Sequence, residues 1–199
     1  MALYVKQLKL GPMDNFVYLL GAEDARETAI IDPAWDVEAA SRAAEEDGRT
    51  LTHALVSHHH FDHVNGLPAV LARGGIRVFA HGADVPKLAP ELQKEVTAVA
   101  AGDAVEVGPL RVLAMHTPGH TEGSMCIYFP VEKKLIAGDT LFAGSIGRTD
   151  LPGGSFNKII TSLHDRVLAL ADETVVIPGH GPLTTIGEER HGNPFLVKG

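Results

Sequence analysis

One cysteine in 199 residues leaves no internal disulfide, so stability has to come from packing or from bound metal. That residue, Cys126, lies between Met125 and Ile127-Tyr128-Phe129, an apolar run of strand composition, and reads as a core thiol rather than a nucleophile. A basic surplus is missing too: 17 lysines and arginines face 25 aspartates and glutamates, a formal net charge of −8. Nucleic-acid binding needs a basic face, so that class of function is set aside. No apolar run approaches the length of a membrane span. The start, Met1-Ala2-Leu3-Tyr4-Val5-Lys6, carries no long apolar core behind a basic segment, so no secretory leader is expected. A cytoplasmic location with no membrane partner is the default expectation. No low-complexity linker divides the chain, and its length suits one domain, residues 1–199, able to bury about 70% of its unfolded surface.

Against this sparse background stand 11 histidines, unevenly placed. Ser57-His58-His59-His60-Phe61-Asp62-His63 packs four of them and a carboxylate into seven positions. The preceding Ala54-Leu55-Val56 reads as the end of a buried strand. Residues two apart in extended chain face the same way, so His58 and His60 can converge on one ion. Asp62 and His63 lie where the chain turns toward a helix expected over residues 65–71, and they would point to a neighbouring position. Imidazole nitrogen and carboxylate oxygen suit Zn²⁺, and also Fe²⁺ or Mn²⁺.

Three more candidates follow one grammar of apolar run, glycine, ligand-type side chain. His120 follows Gly119, Asp139 follows Gly138, and His180 follows Gly179. Glycine lets the backbone turn sharply at a strand end, which would gather these side chains along one edge of a sheet. Strands are expected over residues 3–8, 16–20, 28–31, 77–80, 105–107, 110–115, 125–129 and 134–137. Helices are expected over residues 36–47 and from the N-cap Ser155 toward residue 170. Many short strands with separated helices favour a mixed α/β layered domain.

The H-x-H-x-D-H pattern and the three downstream positions resemble the metallo-β-lactamase superfamily, and within it the short glyoxalase II-like hydroxyacylglutathione hydrolases. The resemblance covers nearly the whole chain. It implies a four-layer αββα sandwich with ligand loops at one edge. It further implies that His58, His60 and His120 hold one metal and Asp62, His63 and His180 a second, with Asp139 bridging both. His59 falls in a variable slot. Two divalent ions about 3.5 to 4 Å apart lower the pKa of a shared water to near 7, so hydroxide on the metals is the expected nucleophile, with Asp62 aiming it. The implied substrate is an acyl thioester such as S-lactoylglutathione, whose thiolate leaves without a general acid. A small anion also suits a site where two dications outweigh Asp62 and Asp139.

Arg148, nine positions after Asp139, stands where two-domain glyoxalase II enzymes carry a lysine that holds a glutathione carboxylate. Arginine could do the same by a bidentate contact, or could pair with Asp150 to fix its loop. The tyrosine of those enzymes is Asp150 here, and their C-terminal helical domain has no counterpart in this sequence. Gly147-Arg148-Thr149-Asp150 also resembles the mononuclear iron persulfide dioxygenases, in which His58, His120 and Asp139 would form the iron face. Lactone or β-lactam hydrolysis ranks lower, since Asp139 stands where many β-lactamases have cysteine, and a non-catalytic metal-binding domain ranks last, since an intact ligand set in an otherwise unembellished domain leaves nothing else for the protein to use. His53 and His81 are read as partners that orient ligands, His116, His164 and His191 as surface or packing residues. Trp35, after Asp32-Pro33-Ala34, lines the mouth of the site or packs beside it.

Overall fold

The computed structural model describes residues 2–12 and 15–197. The first sheet runs in chain order: β1 (Leu3–Leu10), β2 (Asn15–Ala22), β3 (Glu27–Ile31), β4 (Thr50–Val56), β5 (Arg77–His81) and β6 (Val96–Val99). Its first three strands pair antiparallel, and β3 to β6 pair parallel. The chain then builds β7 (Ala104–Val107), β8 (Leu110–His116), β9 (Met125–Phe129) and β10 (Lys134–Gly138) of a second sheet. A short hairpin, β11 (Leu141–Phe142) with β12 (Ser145–Ile146), stands apart. Then β13 (Val175–Pro178) and β14 (Thr184–Thr185) complete the second sheet in the order β14-β13-β10-β9-β8-β7.

Burial sorts the side chains into three cores, which is what makes four layers. Outside the first sheet, Val17, Leu19, Ile30, Ala54 and Val56 meet helix α1 (Val37–Glu46) and the turn-and-helix pair α2 (Phe61–Val64) and α3 (Leu67–Arg73). Between the sheets, Tyr18, Leu20, Ile31 and Leu55 face Val112, Ile127, Ile136 and Ile177. Outside the second sheet, Leu135, Ala137 and Val176 meet Ile159 and Leu163, with Ile186 of a C-terminal helix. Alternate residues of β2 therefore serve two cores, the period-2 pattern of a strand buried on both faces. Each fully buried Leu or Ile contributes on the order of 1.5–3 kcal/mol relative to exposure, so these three cores supply most of the driving force.

Local signals account for the helices. In α1 the buried Val37, Ala40, Ser41 and Ala44 fall on one stripe, and Asp36 caps it by accepting from Ala39 N at 2.8 Å. A short α4 (Pro90–Gln93) follows β5, and α5 (Phe156–Ser162) starts at the expected cap, Ser155. The expected continuation to residue 170 changes character. Residues Leu163–Val167 widen into π-type turns, with Leu168 N donating to Leu163 O at 2.7 Å. The C-terminal α6 (Ile186–Gly192) carries a capping box between Thr185 and Glu188. Its Glu189 accepts from Gly144 N at 2.9 Å and so fastens the β11–β12 hairpin. Among the described residues no helix is long and apolar enough to cross a membrane.

Candidate metal centre

The C-terminal ends of β3, β4, β10 and β13 lie together, because β3 and β4 are parallel within one sheet and β10 and β13 within the other. The sheets are joined at this edge: Met125 N donates to Ser57 O at 2.9 Å and Phe16 N to Gly179 O at 2.9 Å. After β4 the chain bends at Ser57, is extended at His60, whose ψ is 145°, and then turns into α2. That is why His58 and His60 share one side while Asp62 and His63 are carried on to another.

The structure gathers the seven sequence candidates. Donor atoms of His58, His60 and His120 lie within 4.8 Å of one another, and so do those of Asp62, His63 and His180. Asp139 sits between the trios, its Oδ1 3.5 Å from His63 Nε2 and its Oδ2 3.8 Å from His120 Nε2 and 3.9 Å from His180 Nε2. The glycines before two of these residues answer to close approach. A side chain at Gly138, whose φ is +49°, would strike Ser57 Oγ, and one at Gly179 would come within 2.4 Å of Asp139 Oδ1.

Three of the rings are held by their outer nitrogens, which leaves the inner ones facing the centre. His58 Nδ1 lies 3.0 Å from Ser57 Oγ, His63 Nδ1 3.0 Å from Asp32 Oδ2, and His120 Nδ1 2.8 Å from the Arg148 carbonyl. His58 Nε2, His63 Nε2 and Asp139 Oδ1 are buried and have no hydrogen-bond partner. Buried polar atoms without partners are costly. Three of them converging, in a set of imidazoles and carboxylates, fit a divalent cation as the missing partner. Asp32 with His58 and His63 also meets the spacing of a ligand trio. Its carboxylate is already occupied, accepting from Ser57 N and Ser57 Oγ at 2.6 Å each as well as from His63, so we assign it to orienting those groups.

The electrostatics of the trios differ. Burial pushes His58 well below the ordinary histidine value, and neighbouring imidazoles add to it. Burial likewise draws His120 down to about 4, against the pull of the Arg148 carbonyl. At His63 burial acts downward, but the Asp32, Asp139 and Asp62 carboxylates outweigh it and hold the ring at about 9. The hydrogen bond from His180 holds Asp62 below the usual carboxylate range, and the same contact raises His180. Burial raises Asp139.

Several orienting residues escaped the sequence reading. Asp32 follows the apolar Ala29-Ile30-Ile31 and shows the same apolar-run-then-ligand grammar without the glycine. Buried Asn15 donates to Asp62 Oδ2 at 3.0 Å. Asp84 ties three loops together, accepting from His59 N at 2.9 Å, Thr121 Oγ1 at 2.8 Å and Gly123 N at 2.7 Å. These contacts and the nearby His59 ring pull its carboxyl down against burial, and nothing in its sequence surroundings marked it. His53 and His81 do not orient the ligand candidates. His53, midway along β4, bonds Thr52 and Arg77, and His81 stacks on His116 with centroids 3.8 Å apart. Arg148 spends its guanidinium on Asp150 through two bonds of 2.8 and 2.7 Å, both side chains being exposed.

A family model described as the metallo-beta-lactamase superfamily matches residues 10–180. The probable metallo-hydrolase YqgX of Bacillus subtilis is 34% identical over 96% of each chain. The hydroxyacylglutathione hydrolase GloC of Haemophilus influenzae is 30% identical over 87% of this chain and 89% of its own. The crystal structure of BLEG-1 B3 metallo-beta-lactamase is similar with a TM-score of 0.87 at 36% identity, covering 98% of this chain and 100% of that one.

Proposed function

Because this chain belongs to the metallo-beta-lactamase superfamily, we propose that it is a metal-dependent hydrolase of a small acyl thioester such as S-lactoylglutathione. The observation that carries the reading is the meeting of two trios of imidazoles and carboxylates at Asp139, with the buried His58 Nε2, His63 Nε2 and Asp139 Oδ1 left without a hydrogen bond. In this reading His58, His60 and His120 hold one divalent ion, Asp62, His63 and His180 the other, and Asp139 serves both. Zinc is the proposed metal, with iron or manganese suited to the same donors. Such ions, when bound, lower the pKa of a water and polarise the carbonyl it attacks.

The chain's own residues do the rest. Asp62 offers a carboxylate edge that accepts a hydrogen bond from the attacking water and aims it, being half ligand and half guide. Ser57, Asp32 and the Arg148 carbonyl hold the rings so that little reorganisation accompanies reaction. A thiolate needs no proton to depart, so the site requires no separate general acid. Two dications held here would offset the carboxylates Asp62, Asp139 and Asp32, and inside a chain of formal charge −8 this would be the place where a small anion is tolerated. Arg148 would have to exchange Asp150 for a substrate carboxylate if it holds one. The hydroxyacylglutathione hydrolase name of the GloC relative supports the thioester class.

The test pairs metal analysis with three assays: thiol release from S-lactoylglutathione, oxygen uptake with glutathione persulfide, and opening of a chromogenic β-lactam. Two ions per chain with thiol release support the proposal. One iron per chain with oxygen uptake and no thiol release overturns it in favour of the persulfide dioxygenase that the segment Gly147-Arg148-Thr149-Asp150 resembles. β-Lactam opening faster than thioester hydrolysis would reassign the substrate class.

A further inference from the structure

The rim beside the Asp62 trio is built around a tryptophan in a demanding backbone state. Trp35 has a φ of +56°, which costs a non-glycine residue on the order of 1–3 kcal/mol unless its surroundings hold it. They do hold it. Its N–H donates to Asn65 Oδ1 at 2.6 Å, and its ring meets Phe61 edge to face with centroids 6.1 Å apart. Placed in this way, the indole Nε1 donates to Asn15 Oδ1 at 3.0 Å.

An indole N–H can only donate, so it selects the orientation of the amide: oxygen toward Trp35, nitrogen toward the metal centre. Asn15 Nδ2 then donates to Asp62 O at 2.9 Å and Asp62 Oδ2 at 3.0 Å, and lies 3.4 Å from His180 Nε2. The pinned Oδ2 is the oxygen that faces His63 Nε2 at 3.6 Å and His180 Nε2 at 3.5 Å. Asn15 is 1% exposed, so water does not readily replace its amide. A flipped amide would set its oxygen against the carboxylate, two acceptors face to face. Asp62 is one-fifth exposed and, once released, has solvent to swing into. Among the described residues no side-chain amide bonds the other trio, whose His58 and His120 lean on the Ser57 hydroxyl and the Arg148 carbonyl.

We propose that Asn15, with its amide orientation set by the Trp35 indole, is the positioning residue of the Asp62–His63–His180 half-site. It fixes the Asp62 carboxylate so that this half-site closes on its ion, and it leaves the His58–His60–His120 half-site alone. The inference rests on the two-ion reading above.

Titrating metal-free protein with Zn²⁺ in competition with a chromophoric chelator resolves the two binding steps, and His180→Ala shows which step belongs to the second half-site. Asn15→Ala is expected to weaken that step about 10- to 100-fold, the size of effect seen when a group orienting a ligand is lost, and to leave the other within about twofold. Trp35→Phe keeps an aromatic ring, loses the N–H, and should weaken the same step by a smaller factor. Equal weakening of both steps, or no weakening of either, overturns the inference. If Asn15→Ala does not fold, Trp35→Phe decides alone: an unshifted second step there overturns it. A wild-type chain showing a single step overturns the two-ion reading and this inference together. Two wild-type steps that the variants leave unmoved overturn only the inference.

Discussion

The two trios are close neighbours with opposite chemistry. His58, His60 and His120 are all imidazole, and burial holds them in the neutral form. The second trio contains a carboxylate, lies near Asp32 and Asp139, and keeps His63 protonated up to about pH 9. The first is a set of lone pairs waiting for a cation. The second is a charge-paired cluster that has to give up a proton before a cation can enter. Geometry alone would have called them equivalent; the surrounding carboxylates make them different ligand sets.

The largest test of that contrast removes one ring from each trio. His58→Ala takes a buried ligand out of the neutral set and should lower kcat/KM for thioester hydrolysis on the order of 10³-fold, whereas His180→Ala, at the more exposed set, should cost on the order of 10²-fold. Equal losses would erase the distinction. Next comes Asp32→Asn, which disturbs His63 directly and His58 through Ser57. Both ions should bind about 10-fold or more weakly, measured by chelator competition. An effect on one ion alone would remove Asp32 from its shared role.

The pH dependence follows from the same difference and is smaller. His63 has its pKa raised to about 9, so at pH 7 the ion-free ring is charged and ion uptake releases its proton. Affinity at the second half-site should rise with pH and level off near 9. Burial pushes His58 well down, lowers His60 and draws His120 to about 4, so all three rings are neutral at pH 7 and the first half-site should bind with little pH dependence between 7 and 9. Calorimetry in buffers of different ionisation enthalpy counts the released protons for each step. The smallest effect is expected from Arg148→Ala. Its partner Asp150 is exposed and exposed ion pairs contribute little, so KM for a glutathione thioester should move by less than about threefold. A larger rise in KM would show that the guanidinium trades Asp150 for substrate.

Much of this was readable from the sequence because strand periodicity and ligand spacing are local. The run at residues 125–129 became β9 without a change of boundary, and His58, His60 and His63 point as alternation and the following turn require. What escaped was set by distant contacts. Asn15 looks like an ordinary strand-start residue until β2 brings it to Asp62, 47 positions away. The strand Val96–Val99 has too short an apolar signal to stand out, and is a strand because it adds to the edge of β5. Thr185-Ile186-Gly187-Glu188 did carry a visible capping box, and the helix it starts was readable but missed. Arg148 shows the limit from the other side: two opposite readings were written in the same residues, and only geometry brought Asp150 to its guanidinium.

The chain that began with a single cysteine has another way to cross-link itself. His60 and His120 stand 60 positions apart with ring nitrogens 2.9 Å from each other, and the second trio likewise joins residues from before and after the midpoint of the sequence. An ion bridging His60 and His120 would act as a staple between the two sheets, and closing a loop of that length is worth about 4 kcal/mol in unfolded-chain entropy. Two fragments cut between the sheets would each carry an incomplete half of both sites, so their reassembly should depend on metal.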